Sequence, residues 1–219
     1  MKELAIERLP PVAIEGHRSS GAGGPDHPMR IATRRAAGLD AGGWTGELRN
    51  QVEGFFDGLA GEWHTRTSPQ RTAVVMDALS RGLGAPDSPV GIAVEVGSGI
   101  GTYSHLLAER FATVVAIDLS LAMLKRAPIG PAHRVQADGA RLPMGDSSAA
   151  AIVLINAFVF PAEVDRVLSP GGALVWVNSS GEQTPIYLSV DDLVMGLPGE
   201  WTGTSSQAGE GHWCVLRRA

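Results

Sequence analysis

The stretch Val94 to Phe111, VEVGSGIGTYSHLLAERF, places Gly97, Gly99 and Gly101 at every second position behind an apolar run, with Glu95 ahead of them. Glycines spaced in this way let the backbone turn sharply and approach a ligand with no side chain between. A dinucleotide turn requires G-x-G-x-x-G, with a diphosphate at the start of the next helix. Here the third glycine comes one residue early, and Thr102 stands where it should be. Glu95 would repel a diphosphate and suits a ligand bearing an ammonium or sulfonium. Asp118, 17 positions beyond Gly101 in VVAIDLS, is spaced to receive both hydroxyls of a ribose. Together these residues argue for a cationic nucleoside and against NAD.

Such a turn needs a strand before it and a helix after it. VGIAVEV, between Pro89 and Gly97, is a short apolar run rich in β-branched residues, the pattern of a strand buried on both faces. Thr102 to Phe111 continues as a helix, and the alternation repeats: ATVVAID strand, SLAMLKRA helix, HRVQAD strand, AAAIVLINAF strand, PAEVDRVL helix, GGALVWVN strand. This order implies parallel strands joined by crossovers, so the expected fold is α/β, a doubly wound, mostly parallel, Rossmann-like sheet. WTGTSSQA and HWCVLRR, joined through GEG, bring the count to seven strands as a C-terminal antiparallel pair. Ligands of such sheets sit at the carboxyl ends of the strands. The glycine turn, Asp118 and Asn156 all fall there.

Upstream, Leu48, Val52, Phe55, Phe56 and Leu59 form one stripe of a helix over Trp44 to Ala60, with Thr45 as its cap. Ser68 and Pro69 start a second helix that ends at Gly82 or Gly84. A further helix is expected around Ser189 to Gly196. GHRSSGAGGPDHP and AAGLDAGG are rich in glycine and lack periodicity. Residues 1–43 are therefore expected to be a flexible or lid-like extension, and residues 44–219 the ligand-binding domain.

The net charge of −5 is spread along the chain without a basic run, which argues against a nucleic-acid partner. The amino terminus lacks the apolar core, roughly 7–15 residues, of a signal peptide. The longest apolar run, AAAIVLINAFVF, has 12 residues, short of the about 20 that span a membrane. With Cys214 as the single cysteine no intrachain disulfide can form, in keeping with a reducing cytoplasm. There is no C-x-x-C or H-E-x-x-H, so no metal is expected, and Gly97–Ser98–Gly99 is not the G-x-S-x-G elbow of a serine hydrolase.

The arrangement resembles the class I S-adenosylmethionine-dependent methyltransferases. Glu95, Gly97, Gly99 and Gly101 match the family's acidic residue and G-x-G-x-G turn, Asp118 its ribose-binding acid, and ADGARLP its A-D-x-x-x-L-P stretch, whose aspartate, here Asp138, meets the adenine amino group. EVDRVLSPGGALVW resembles the helix, turn and strand that follow. FFDGLAGEWH is similar to the F-D-x-x-A-x-x-Y-D helix of the ubiquinone-type, small-molecule branch, with Trp63 and His64 replacing tyrosine and aspartate. The resemblance covers about residues 50–178. It implies S-adenosylmethionine as cofactor, held by Trp63, Glu95, Gly97, Ser98, Gly99 and Gly101 on one side. On the other stand Asp118, Leu119, Met123, Asp138, Gly139 and Asn156.

Relatives carry a longer loop and helix before the R-V-L-x-P-G-G turn than AFVFPAEVDRVL allows. That leaves the mouth of the site to the extension, assigned as a lid or as a subunit contact in a homodimer. The expected partner is a small-molecule methyl acceptor, in secondary metabolism. His64, beside Trp63, reads as the base that takes the acceptor's proton or as a surface or capping histidine. Tyr103 either reaches the cofactor carboxylate or packs. His105, Asp146, Trp176, Trp201 and Trp213 read as structural. Two other functions fit the same residues: a cyclase that uses the cofactor as scaffold, and a cofactor-binding regulatory protein.

Overall fold

The computed structural model describes residues 5–17, 23–84 and 90–219. The Pro89 boundary and the RSSGA part of the glycine-rich stretch lie outside them. Eight strands form one sheet: β1 (Ala5–Arg8), β2 (Ile92–Val96), β3 (Thr113–Asp118), β4 (Ala132–Gln136), β5 (Ala149–Ile155), β6 (Leu168–Asn178), β7 (Trp201–Ala208) and β8 (Gly211–Arg218). Their order is β1-β7-β8-β6-β5-β2-β3-β4. β2 pairs in parallel with β3 on one side and β5 on the other, which makes its carboxyl end the point where the winding reverses. β8 runs antiparallel to both β6 and β7.

Seven of these strands follow the hydrophobic pattern. The eighth, β1, comes from the segment expected to be loose. It pairs in parallel with β7, and the chain continues along that edge through Leu9 N–H to Ser205 O (2.8 Å) and Val12 N–H to Gln207 O (2.9 Å). The same segment also forms α1 (Pro28–Ala36), which buries Met29, Ala32, Thr33 and Ala36. The extension is thus partly built into the fold.

Strand side chains alternate between two cores, as the period of two requires. Val94, Val96, Ile152, Leu154, Leu174 and Trp176 face the layer that includes Val164, Val167, Leu193 and Val194, from α6 (Pro161–Val167) and α7 (Val190–Gly196). Ala93, Val153, Ile155, Val175 and Trp213 face Val74, Val75, Leu79 and Leu107. These come from α3 (Pro69–Asp77), the π-helical turn Ala78–Leu83 that prolongs it, and α4 (Ser104–Ala108). A third cluster joins Met29 and Ala32 of α1 with Val52, Phe56, Ile186, Leu119 and Phe158. It draws α1 and α2 (Gly46–Leu59) onto the carboxyl side of the sheet.

Helix starts follow the expected capping chemistry. Thr45 and Ser68 accept at 3.2 Å from the N–H groups of Leu48 and Arg71, and Pro69 opens α3. The Thr102–Phe111 helix is shorter than its pattern, five residues in α4, because the glycine turn runs on to Tyr103. The SLAMLKRA helix is likewise a single turn, α5 (Leu121–Leu124). Among the described residues, no helix is long and apolar enough to cross a membrane.

Candidate functional site

Gly97, Gly99 and Gly101 have φ of 71°, 56° and 72°, the left-handed region that glycine enters without strain. A Cβ on Gly97 would lie 2.6 Å from the Ala157 Cβ, and one on Gly99 3.3 Å from the Trp63 indole nitrogen. Side chains are therefore excluded on both sides of the turn. The turn is pinned to the next strand by Gly97 and Ser98 N–H bonds to Ile117 O, at 2.8 and 3.0 Å. It is closed by Gly101 N–H to Ser98 O at 2.9 Å.

Two carboxylates flank it. Asp118 accepts from Gly99 N–H at 2.7 Å and from Ser120 N–H at 2.8 Å, which fixes it across the tip of the turn. Glu95 is 2% exposed and accepts from the Ser104 hydroxyl at 2.5 Å. Burial pushes the Glu95 carboxyl up to about 7; the Ser104 bond opposes this and the Asp118 charge adds to it. Burial raises Asp118 as well, against the backbone N–H groups of Ser120 and Gly99 that hold its charged form. Two acids that burial drives toward protonation, beside backbone N–H groups already engaged, form a site that a bound cation would relieve.

The other predicted residues spread along the same edge. Trp63 lies against Gly99 and meets Phe56 edge-on at 5.6 Å. Leu119 packs in the third cluster. Met123 is 1% exposed, its N–H donating to Ser120 Oγ at 3.1 Å. Ser120 also donates to Asp57, so α2 and the end of β3 are tied together. Gly139 leaves room for Phe160, 2.7 Å from where its Cβ would be. Asn156, at φ 50°, accepts from Ser179 N–H at 2.8 Å and donates to Ser179 Oγ at 2.9 Å, joining the carboxyl ends of β5 and β6. Asp138 accepts from Ala140 N–H at 2.9 Å and from the Trp44 indole N–H, 3.1 Å from each oxygen.

His64 is not drawn into this web. It sits exposed in the 3-10 turn Trp63–Arg66, and its carbonyl accepts from the Thr67 hydroxyl at 2.9 Å. His105 is exposed on α4. Tyr103 packs against the core beneath α3 and α4, where burial raises its phenol. Trp176, Trp201 and Trp213 are buried, and Asp146 pairs with Arg166 at 2.8 Å. Sequence reasoning missed Ser104, the partner of Glu95, and Trp44, the partner of Asp138. Trp44 follows two glycines and precedes a helix cap, a position that reads only as a boundary.

The residues fit an adenosyl cofactor with a cationic end: a turn of three positive-φ glycines, the buried Glu95 and half-buried Asp118, and a Ser98 hydroxyl buried without a hydrogen-bond partner in that turn. Among the described residues, no group of three His, Cys, Asp or Glu side chains could hold a metal ion.

Comparison with known proteins gives the same direction. Residues 94–176 match a family described as a methyltransferase domain. No curated protein matches the chain. Among solved structures, DhpI bound to SAH aligns at 17% identity over 80% of this chain and 99% of its own, with a TM-score of 0.65. A Methanococcus maripaludis protein described as an S-adenosyl-L-methionine-dependent methyltransferase aligns at 17% identity over 79% of this chain and 93% of its own, TM-score 0.55. Haemonchus contortus phosphoethanolamine N-methyltransferase 1, solved with phosphoethanolamine and S-adenosylhomocysteine, aligns at 17% identity over 68% of this chain, TM-score 0.52. This chain spans 37% of that enzyme's length. Residues 94–176 thus match a methyltransferase domain, and the chain has the fold of solved S-adenosylmethionine-dependent methyltransferases.

Proposed function

We propose that the chain transfers a methyl group to a small-molecule acceptor, as a cytoplasmic enzyme of the ubiquinone-type branch working in secondary metabolism. The observation that carries this reading is the pair of acids, buried Glu95 and half-buried Asp118, held around a turn whose three glycines leave its backbone open. Asp118 takes the ribose hydroxyls, Asp138 the adenine amino group, and Glu95 the cationic end. When bound, S-adenosylmethionine would supply a sulfonium methyl group that passes in line to the acceptor as S-adenosylhomocysteine leaves, so alignment and exclusion of water would account for most of the acceleration. Trp63, against Gly99, and the rings of Phe158 and Phe160, near Asp138's partner Trp44, keep water from that end of the sheet. His64, next to Trp63, takes the acceptor's proton. The covering α1 supports a lid role for residues 1–43, with a subunit contact in a homodimer as the second role of that segment.

Calorimetry with S-adenosylmethionine, S-adenosylhomocysteine and NAD side by side tests the cofactor. Binding of the first two, and formation of S-adenosylhomocysteine with small hydroxylated or amino acceptors, is the expected result. Binding of NAD alone would overturn the reading, and full turnover by His64→Ala would remove the base from it.

A further inference from the structure

The Trp44 indole occupies a place that the proposed function gives to the cofactor. Its N–H donates to Asp138, 3.1 Å from each oxygen. Its ring meets Phe158 at 5.5 Å and Phe160 edge-on at 5.1 Å. Asp138 follows β4 on the edge that carries the glycine turn and Asp118. An adenine needs the same two things from this spot: a carboxylate to accept from its exocyclic amino group and aromatic faces for its bicyclic ring. Indole, also a flat bicycle with an N–H at its rim, supplies a chemical imitation of that base from within the chain.

The backbone that delivers it is suited to movement. Gly42 and Gly43, directly before Trp44, have φ of 99° and 57°, a conformation other residues rarely adopt. A Cβ on Gly43 would meet open space and one on Gly42 only the flexible Arg35 side chain at 3.5 Å, so packing holds the pair lightly. Trp44 is itself only partly buried, and Thr45 caps α2 directly after it. The tryptophan is therefore a single side chain swung between a glycine pair and a capped helix.

We propose that Trp44 is a tethered occupant of the adenine subsite, which closes the site until an adenosyl ligand displaces it from Asp138. The proposal rests on the cofactor reading given above. A ligand that binds only the open form sees its affinity reduced by the open fraction, so removing the occupant tightens binding. A site open about a tenth of the time gains roughly tenfold when the occupant is taken away.

The experiment is calorimetry of S-adenosylhomocysteine and adenosine on the full chain, as wild type, Trp44→Phe and Trp44→Ala, with circular dichroism to verify folding. In parallel, the Trp44 indole N–H resonance, assigned by its loss in Trp44→Phe, is followed in the wild type as ligand is added. The expected result is roughly tenfold tighter binding of both ligands to Trp44→Ala, tighter binding to Trp44→Phe, and a shifted indole resonance on saturation. Unchanged or weaker binding by both variants overturns the proposal while leaving the cofactor reading intact, as does an unmoved resonance in saturated wild type. Binding of neither ligand to any of the three proteins overturns both.

Discussion

Glu95 couples the site to pH. Its carboxyl is pushed up to about 7, from an ordinary 4.5, by burial, so the folded chain holds a proton there that the unfolded chain has already released. Stability therefore falls as pH rises from about 4.5 to about 7, and no further above it. Glu95→Gln keeps an acceptor for Ser104 and removes that cost. The variant should be more stable than wild type at pH 8 by up to about 3 kcal/mol, and equal to it at pH 4, in urea denaturation. In the proposed function the same charge attracts the cationic end of the cofactor. Calorimetry should show S-adenosylmethionine binding weakening as pH drops below about 7, whereas adenosine, which has no cation, keeps its affinity. Equal pH profiles for the two ligands would show that Glu95 does not face the cationic end. At this scale much was legible from residue types: an acid before the glycines and an acid after the next strand. What the spacing could not reveal was who shares each acid. Ser104 and Trp44 reach Glu95 and Asp138 across 9 and 94 positions, and only folding brings them close.

At the level of elements, β2, β3, β5 and β6 were readable because each is apolar enough to announce burial, β4 by its place in the alternation with helices, β7 and β8 by the GEG between them, and the helix starts because Thr45, Ser68 and Pro69 cap them locally. β1 was not, since its four residues include Glu7 and Arg8 and its pairing with β7 joins segments almost 200 positions apart. Nor was the π-helical turn at Ala78–Leu83, which arises from packing rather than propensity. There Gly82 lies under β8: a Cβ would come within 2.5 Å of Val215 Cγ2 and 2.6 Å of Trp213 Cζ3. Trp213 cannot step aside readily, because its indole N–H donates to Asp77 at 2.7 Å and Arg81 lies over its ring at 5.5 Å. Gly82→Ala should thus lose about 1–3 kcal/mol of stability by denaturation, the cost of overpacking a filled interior. Because the contact is on the face away from Asp138 and its aromatic cluster, S-adenosylhomocysteine affinity should stay as in wild type. A variant as stable as wild type would mean that the helix and sheet separate there at little cost.

For the whole molecule, the amino-terminal segment makes two sets of contacts that a test of its lid role has to separate. Along the sheet it guards an edge: β1 covers β7, and the chain goes on to give Gly209 N–H to Val12 O at 2.7 Å. Across the carboxyl side, α1 closes the third core over Ile186 and Val52. Arg30 ties it to the loop after β6, donating to Glu182 O at 2.6 Å and Thr184 O at 3.0 Å while its guanidinium lies 4.8 Å from the Tyr187 ring centre. Removing residues 1–43 strips all of this at once. It unpairs the β7 edge, which invites strand pairing between copies, and leaves Ile186 and Val52 exposed. The truncated chain should lose at least about 3 kcal/mol, at roughly 1 kcal/mol for each ladder bond, and should associate with concentration in analytical ultracentrifugation. A lid is better tested by Arg30→Met, which frees α1 from the 182–184 loop and leaves β1 in place. That variant should exchange amide hydrogens faster in residues 23–36 and 182–187 and bind the methyl acceptor more weakly, with S-adenosylhomocysteine affinity held. Faster exchange with unchanged acceptor binding would make the segment a structural strap on the sheet and nothing more.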